Sequence, residues 1–213
     1  MTIIRKAILP AMMLVMLTSV ANGQSTGRDN YDPSSVTGTA EEQLAEMAAL
    51  YDAVCIGTFP DDGQIEALMK SRGAVPMTEA DVARYLHQDA GMGWVLVGKA
   101  ATFRILIEHP PYHACSIRSV TRSGFADLSP YSSLVERELK SWSQHSPIPA
   151  QTFVAEGVKT EGSGEGRLRD DGLIESFLYL AGRIADEELA KRLTGVEVRF
   201  VHQIITPAKR GST

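Results

Sequence analysis

The segment 109–113, with the sequence HPPYH, carries two imidazoles four residues apart, and Glu108 directly precedes it. Two histidines and a carboxylate form a typical zinc ligand set. The paired prolines, however, prevent the helix that normally brings such histidines together on one face. We therefore expect an exposed loop tip and no metal site. Because binding residues concentrate on loops, Glu108, His109, Tyr112 and His113 are the first candidate ligand-binding residues.

His202 is a second candidate, because it alternates with apolar residues in the segment 196–204 and should share their buried face. A histidine in this position is expected to be a neutral, hydrogen-bonded core residue. It would then have to acquire a charge in acid, so stability should fall between about pH 7 and pH 5. The alternative is that His202 lines a pocket together with Tyr179 of a neighbouring strand.

Cys55 and Cys115 are the two cysteines of the chain. In an oxidising compartment an even number of cysteines indicates a disulfide. Closing a loop of this length contributes about 4 kcal/mol in the loop-entropy model. Two alternatives are a catalytic thiol at Cys115 with His113 as its base, and two buried free thiols.

Two glycine-containing segments have the spacing of ligand-binding motifs. Segment 93–99 (GWVLVGK) has the glycine and lysine spacing of a phosphate-binding loop, but its central residues favour a strand and Ala100 replaces the magnesium-binding hydroxyl. Segment 162–166 (GSGEG) lies in an acidic stretch that we expect to be a hairpin loop. These patterns predict no cofactor.

The first 23 residues have the layout of a secretory signal peptide. Arg5 and Lys6 form the charged region, an uncharged apolar run covers 7–20, and small residues occupy 21–23. The apolar run is shorter than the roughly 20 residues that span a bilayer. We expect cleavage before Asn22 or Gln24, which places the mature protein in the periplasm or outside the cell.

The charge balance restricts the partners. The chain has 21 basic and 26 acidic residues, and its formal net charge of −5 falls to −7 once Arg5 and Lys6 are removed. A negative chain lacks the basic surface of a nucleic-acid binder and is repelled by anionic lipid. We therefore expect no nucleic-acid partner and no stable membrane insertion after signal cleavage.

The remaining chain is expected to form a flexible leader over 24–38 and a single domain over 39–213. Capping patterns predict helices that begin near Thr39, Thr78 and Ser129. The segment 173–181 fits either a strand or a helix, and its dense apolar run favours a strand. Together with the other β-rich segments, this gives predicted strands over 93–97, 102–108, 114–120, 151–156, 173–181 and 196–206.

This order of elements predicts a single α+β domain with a mainly antiparallel sheet of five or six strands in the order βββ–α–βββ. The N-terminal helices should pack on one face of the sheet. No catalytic set of residues is evident, so the expected function is an exported, soluble, noncatalytic binding or interaction domain of the cell envelope. Its partner would be an unidentified protein or small molecule. The alternative is an envelope hydrolase that uses histidine with a carboxylate or a metal.

Overall fold

The computed structural model describes residues 31–207, which form one eight-stranded antiparallel sheet with helices on both faces. The predicted signal peptide lies outside the described residues. The strands are β1 (Val75–Pro76), β2 (Gly91–Val97), β3 (Thr102–Glu108), β4 (Tyr112–Thr121), β5 (Ser146–Ala155), β6 (Val158–Leu168), β7 (Ile174–Ile184) and β8 (Val196–Ile205). The helices are α1 (Ala40–Tyr51), α2 (Asp62–Ser71), α3 (Glu79–Tyr85), α4 (Ser129–Leu139) and α5 (Glu187–Ala190), with a 3₁₀ turn (Pro33–Ser35) and a π turn (Asp52–Ile56).

The strands lie in the order β1-β2-β3-β4-β8-β7-β6-β5, and every neighbouring pair is antiparallel. The last strand of the chain therefore lies at the centre, between the β2–β4 meander and the β5–β7 meander. Within residues 31–207, no helix is long and apolar enough to cross a membrane.

The predicted α+β domain with five or six strands is wrong. The sheet has eight strands, because the glycine-rich segment expected to be a loop lies within β6 and a two-residue strand, β1, extends the other edge. The expected placement of the N-terminal helices on one face also fails. Helix α3 packs through Val82 and Tyr85 against Leu106, on the face opposite to α1 and α2.

One face of the sheet, which we call the helical face, carries the main core. The side chain of Thr39 accepts a hydrogen bond from the Glu42 amide and the Glu42 carboxylate accepts one from the Thr39 amide, so α1 begins with a complete capping box. Helices α1, α2 and α4 bury their apolar faces against the central strands, where Phe103 and Phe200 are inaccessible to solvent. This packing supplies the hydrophobic stabilisation of the fold.

The Cys55–Cys115 disulfide is confirmed. It joins the π turn to β4, with the two Cα atoms 5.4 Å apart and a sequence separation of 60. Neither cysteine is accessible to solvent and neither is free. Cys115 is therefore not a catalytic thiol, and the bridge fixes the helical layer to the centre of the sheet.

The opposite face, which we call the concave face, lies on the inside of a curled sheet. At Gly162 and Gly164 of β6, a Cβ atom would overlap the side chains of Leu180 and Leu178, respectively. Glycine at these two positions lets the β5–β6 hairpin bend around the leucines. As a result, Glu156 at the hairpin tip comes within 3.8 Å of His87, in the loop after α3.

Residues 31–38, which belong to the predicted leader, pack against the sheet. Tyr31 is buried, and its carbonyl accepts a hydrogen bond from the Gly195 amide. The amides of Thr37 and Gly38 both donate to the carbonyl of Ala100. The ordered part of the fold therefore begins before the first helix.

Candidate functional site

The two histidines of the 109–113 segment share one carboxylate, but it is not Glu108. The Nε2 atom of His113 lies 2.9 Å from one oxygen of Asp62, and that of His109 lies 3.9 Å from the other. Asp62 is in the first turn of α2, where the helix dipole favours a negative charge. Tyr112 is half-buried at the start of β4.

Glu108 points to the concave face, because it alternates with the core residues of β3. There it lies beside Asp89, and burial together with the negative charge of Asp89 raises the pKa of Glu108 to about 7. Glu108 is therefore separated from His109 and His113, and the three residues do not form the zinc ligand set that their spacing suggests. In the part of the chain that the structure describes, no three His, Cys, Asp or Glu side chains are arranged to hold a metal ion.

His202 is buried and hydrogen-bonded, as the strand pattern predicts. Its Nδ1 atom lies 2.7 Å from the Cys55 carbonyl, and its Nε2 atom lies 2.9 Å from a carboxylate oxygen of Glu175. The carbonyl is available because the residue that would donate to it in the π turn is Pro60, which has no N–H.

The acceptor of the His202 ring, Glu175, has a second cationic partner. The other oxygen of Glu175 accepts two hydrogen bonds from Arg167. Burial raises the pKa of Glu175, but the hydrogen bonds from His202 and Arg167 outweigh burial and hold the pKa below its usual value. Glu175 is therefore a buried carboxylate that is bound from two sides.

These histidines belong to an aromatic layer of the core. The ring of Phe59 lies 4.6 Å from that of His113 and 5.0 Å from that of His202, and Phe177 lies 4.4 Å from His202. Tyr179 is directly opposite Phe200, one position further along this face from the Phe177–His202 pair. In the alternative interpretation, His202 lines a pocket together with Tyr179, but His202 is not among the residues that line the cleft beside Tyr179, and its ring nitrogens bind Cys55 and Glu175.

Tyr179 instead lines a cleft on the part of the helical face that the helices leave uncovered. The cleft has a volume of about 320 Å³ and lies between the loop before α4 and strands β5–β7. Two partly exposed aromatic rings, Phe125 and Tyr179, provide its apolar surface. The other lining residues are Ser123, Gly124, Ala150, Glu161, Gly162, Ser163, Ala181 and Arg183.

Opposite charges lie on either side of the Tyr179 hydroxyl. Burial raises the pKa of Tyr179, Arg183 opposes that shift, and Glu161 adds to it. Arg183 donates one hydrogen bond to the Ser123 carbonyl at 3.0 Å, which fixes the guanidinium at the cleft wall. Glu161 is paired with Lys159 at 3.0 Å. The arrangement can stack a ligand on aromatic rings and bind its polar groups.

The sequence points to Tyr179 but not to the rest of the cleft. Glu161 and Ser163 lie in or beside the segment expected to be a loop, although their alternation with glycines is consistent with a strand that exposes one face. Phe125 and Arg183 become neighbours only because β7 lies next to β8, which no local pattern predicts.

Comparisons of the chain with protein-family models, with curated proteins and with solved structures find no match. The function is therefore argued from the geometry of the chain itself.

Proposed function

We propose that the protein is an exported, soluble, noncatalytic binding domain of the cell envelope, and that the cleft beside Tyr179 is its ligand site. The cleft itself is the observation that carries this proposal. Half-exposed aromatic rings lie next to a fixed guanidinium and a carboxylate, in a concavity large enough for a small molecule.

The placement of the titratable groups supports a noncatalytic role. A general base must be able to reach a proton of the bound substrate. His202 is enclosed by Cys55 and Glu175, His113 is paired with Asp62, and neither histidine lines the cleft. The serines of the cleft therefore have no imidazole partner within it, which argues against the hydrolase alternative.

The chemistry of the lining favours a small ligand with a flat ring and polar substituents. Phe125 and Tyr179 provide π faces, Arg183 retains donors beyond its bond to Ser123, and Ser163 offers a hydroxyl. Export is supported by the disulfide and by the features of the first 23 residues.

Saturation-transfer NMR on the secreted, disulfide-bonded protein tests this proposal. The probes are a panel of aromatic amino acids, nucleosides and monosaccharides. At least one probe should receive saturation, and its affinity should fall about tenfold or more in Tyr179→Ala and Arg183→Gln, because stacking and charged hydrogen bonds each contribute on the order of 1–3 kcal/mol.

The matched control is His109→Ala, which removes a partly exposed ring outside the cleft. This variant should bind as the wild-type protein does. A probe whose affinity is unchanged in both cleft variants, or one that the protein hydrolyses, contradicts the proposal.

A further inference from the structure

Three arginines form a row across the concave face. Arg104 of β3 is paired in register with Arg118 of β4, and Arg118 is paired with Arg199 of β8. Directly opposite residues on neighbouring strands have Cα atoms about 5 Å apart and point to the same face. Like charges in such pairs destabilise a sheet. A row of three therefore requires compensation.

The bonds of these arginines compensate the charge only in part. Arg199 donates two hydrogen bonds to one oxygen of Glu197, the shorter at 2.7 Å. Arg118 donates to the Ser116 hydroxyl and to the Tyr85 carbonyl, both of which are neutral.

Arg104 lies over the ring of Tyr85, with the guanidinium carbon 5.4 Å from the ring centre. Within residues 31–207, its guanidinium is in neither a hydrogen bond nor an ion pair, although its charge acts on Tyr85 and Glu197. This guanidinium is half-buried, and its donors are available to a ligand.

The other charged groups near the row balance it only in part. Glu108, which lies beside Asp89, interacts with Arg118, but its pKa is raised to about 7, so it carries less than a full negative charge near neutral pH. The hydroxyl of Tyr31 lies beside Arg199. Glu197 also faces the row, and its carboxylate feels all three guanidinium groups. Burial tends to raise the pKa of Glu197, but the arginines hold it below its usual value.

The row is also shielded from water. Arg118 is only 8% exposed. Burial, together with the positive charge of Arg199, lowers the pKa of Arg118 to about 10. Helix α3 and the loop after it cover one side, and the tip of the β5–β6 hairpin approaches that loop at His87. An excess of positive charge in a partly enclosed, low-dielectric space attracts anions strongly.

We propose that Arg104, Arg118 and Arg199 form a binding site for a small oxyanion that carries at least two negative charges, of the phosphate or polycarboxylate class. Guanidinium groups match such anions because their planar N–H donors bind two oxygens at once. The site lies on the face of the sheet opposite to the cleft, so it is independent of the proposed cleft ligand.

Thermal unfolding and titration calorimetry of the secreted protein at pH 7.5 test the proposal. The probes are inorganic phosphate, pyrophosphate and citrate, each compared with sodium chloride at equal ionic strength. At a concentration about 100-fold above the Kd, a bound anion should raise the Tm by about 5–10 °C over chloride. If none of the three anions raises the Tm more than chloride does, the site does not exist.

Arg104→Gln separates binding from folding, because the guanidinium of Arg104 has no hydrogen bond to lose. In chloride its Tm should stay close to that of the wild-type protein, because the removal of one of three like charges offsets the lost contact with the Tyr85 ring and the lost attraction to Glu197. The affinity of Arg104→Gln for phosphate should be lower than that of the wild-type protein by about tenfold or more. Arg104→Lys should restore part of this affinity. Arg192→Gln, an equal charge change at an exposed position, should bind phosphate normally.

A Tm of Arg104→Gln that falls equally in chloride and in phosphate would show that the row only supports the fold. Equal loss of phosphate binding in Arg192→Gln would show a general effect of net charge, and would also overturn the proposal. The Tyr179→Ala experiment is independent of the results for Arg104→Gln and Arg192→Gln, because Tyr179 lies on the other face of the sheet.

Discussion

Replacing Glu175 with glutamine should destabilise the protein strongly at neutral pH. The carboxylate is 7% exposed and is bound by the His202 ring at 2.9 Å and by Arg167 at 2.6 Å. Glutamine has nearly the same shape but no charge, so Arg167 loses its counterion and the buried His202 ring loses a charged acceptor. Removing one partner of a buried ion pair costs on the order of 3–5 kcal/mol. Because the amide oxygen can still accept one hydrogen bond, we expect about 3 kcal/mol.

The pH dependence gives this prediction a second readout. The pKa of Glu175 is lowered in the folded protein from its ordinary value of 4.5. The stabilisation by its charge is therefore fully present above about pH 4.5 and is lost as the pH falls through the folded pKa. Glu175→Gln lacks this titration, so the stability of the two proteins should converge below pH 4.5.

Urea unfolding at pH values from 7 to 3.5 measures both effects. A loss of 3 kcal/mol corresponds to a decrease in Tm of about 6–12 °C for a chain of this length. The control is Glu188→Gln, which removes one partner of an exposed ion pair with Lys191 and should change stability by less than about 1 kcal/mol. A loss below about 1 kcal/mol in Glu175→Gln, or stability curves that stay parallel down to pH 3.5, would refute the charged network.

Two further predictions concern the covalent and steric constraints of the fold. The double variant Cys55→Ala, Cys115→Ala should lower the free energy of unfolding by about 4 kcal/mol, because the bridge closes a 60-residue loop, and chemical denaturation against the oxidised wild-type protein measures this. Gly164→Ala should destabilise by about 2 kcal/mol or more, because its Cβ would overlap the Phe177 carbonyl. Gly166→Ala, where the nearest atom is 3.4 Å away, should be tolerated, and equal Tm values for the two glycine variants would contradict this account of the curl.

Local patterns in the sequence were sufficient to predict features that depend on one element at a time. The capping box at Thr39, the buried face of His202 and the two apolar faces that bring Cys55 to Cys115 all follow from helix and strand periodicity. The alternation of β3 also places Glu108 away from the core. The carboxylate that contacts His113 is instead that of Asp62 in α2, which lies 51 residues earlier in the sequence. Strand alternation carries no information about that contact.

The strand count could not be predicted because β6 lacks the usual composition of a strand. Its central residues, Gly162 to Gly166, have low β-propensity, and the segment is a strand because β5 and β7 supply hydrogen-bond partners on both sides. Glycine is favourable there for a tertiary reason, namely that Leu178 and Leu180 occupy the space of the missing side chains. Propensity describes a residue by itself, whereas this strand depends on its neighbours.

The two proposed sites border the curl of the sheet at β6 on opposite faces. On the outside, Tyr179 and Phe125 line the cleft together with Gly162 of β6. On the inside, the same bend brings the hairpin tip to His87 and encloses the arginine row. Leu180 is paired with Gly162 of β6 on one side and with Arg199 of β8 on the other, so one row of paired residues connects the cleft floor to the arginines. A substitution that flattens the sheet at this row should therefore weaken both sites, whereas the variants at Tyr179 and Arg104 should each affect only one.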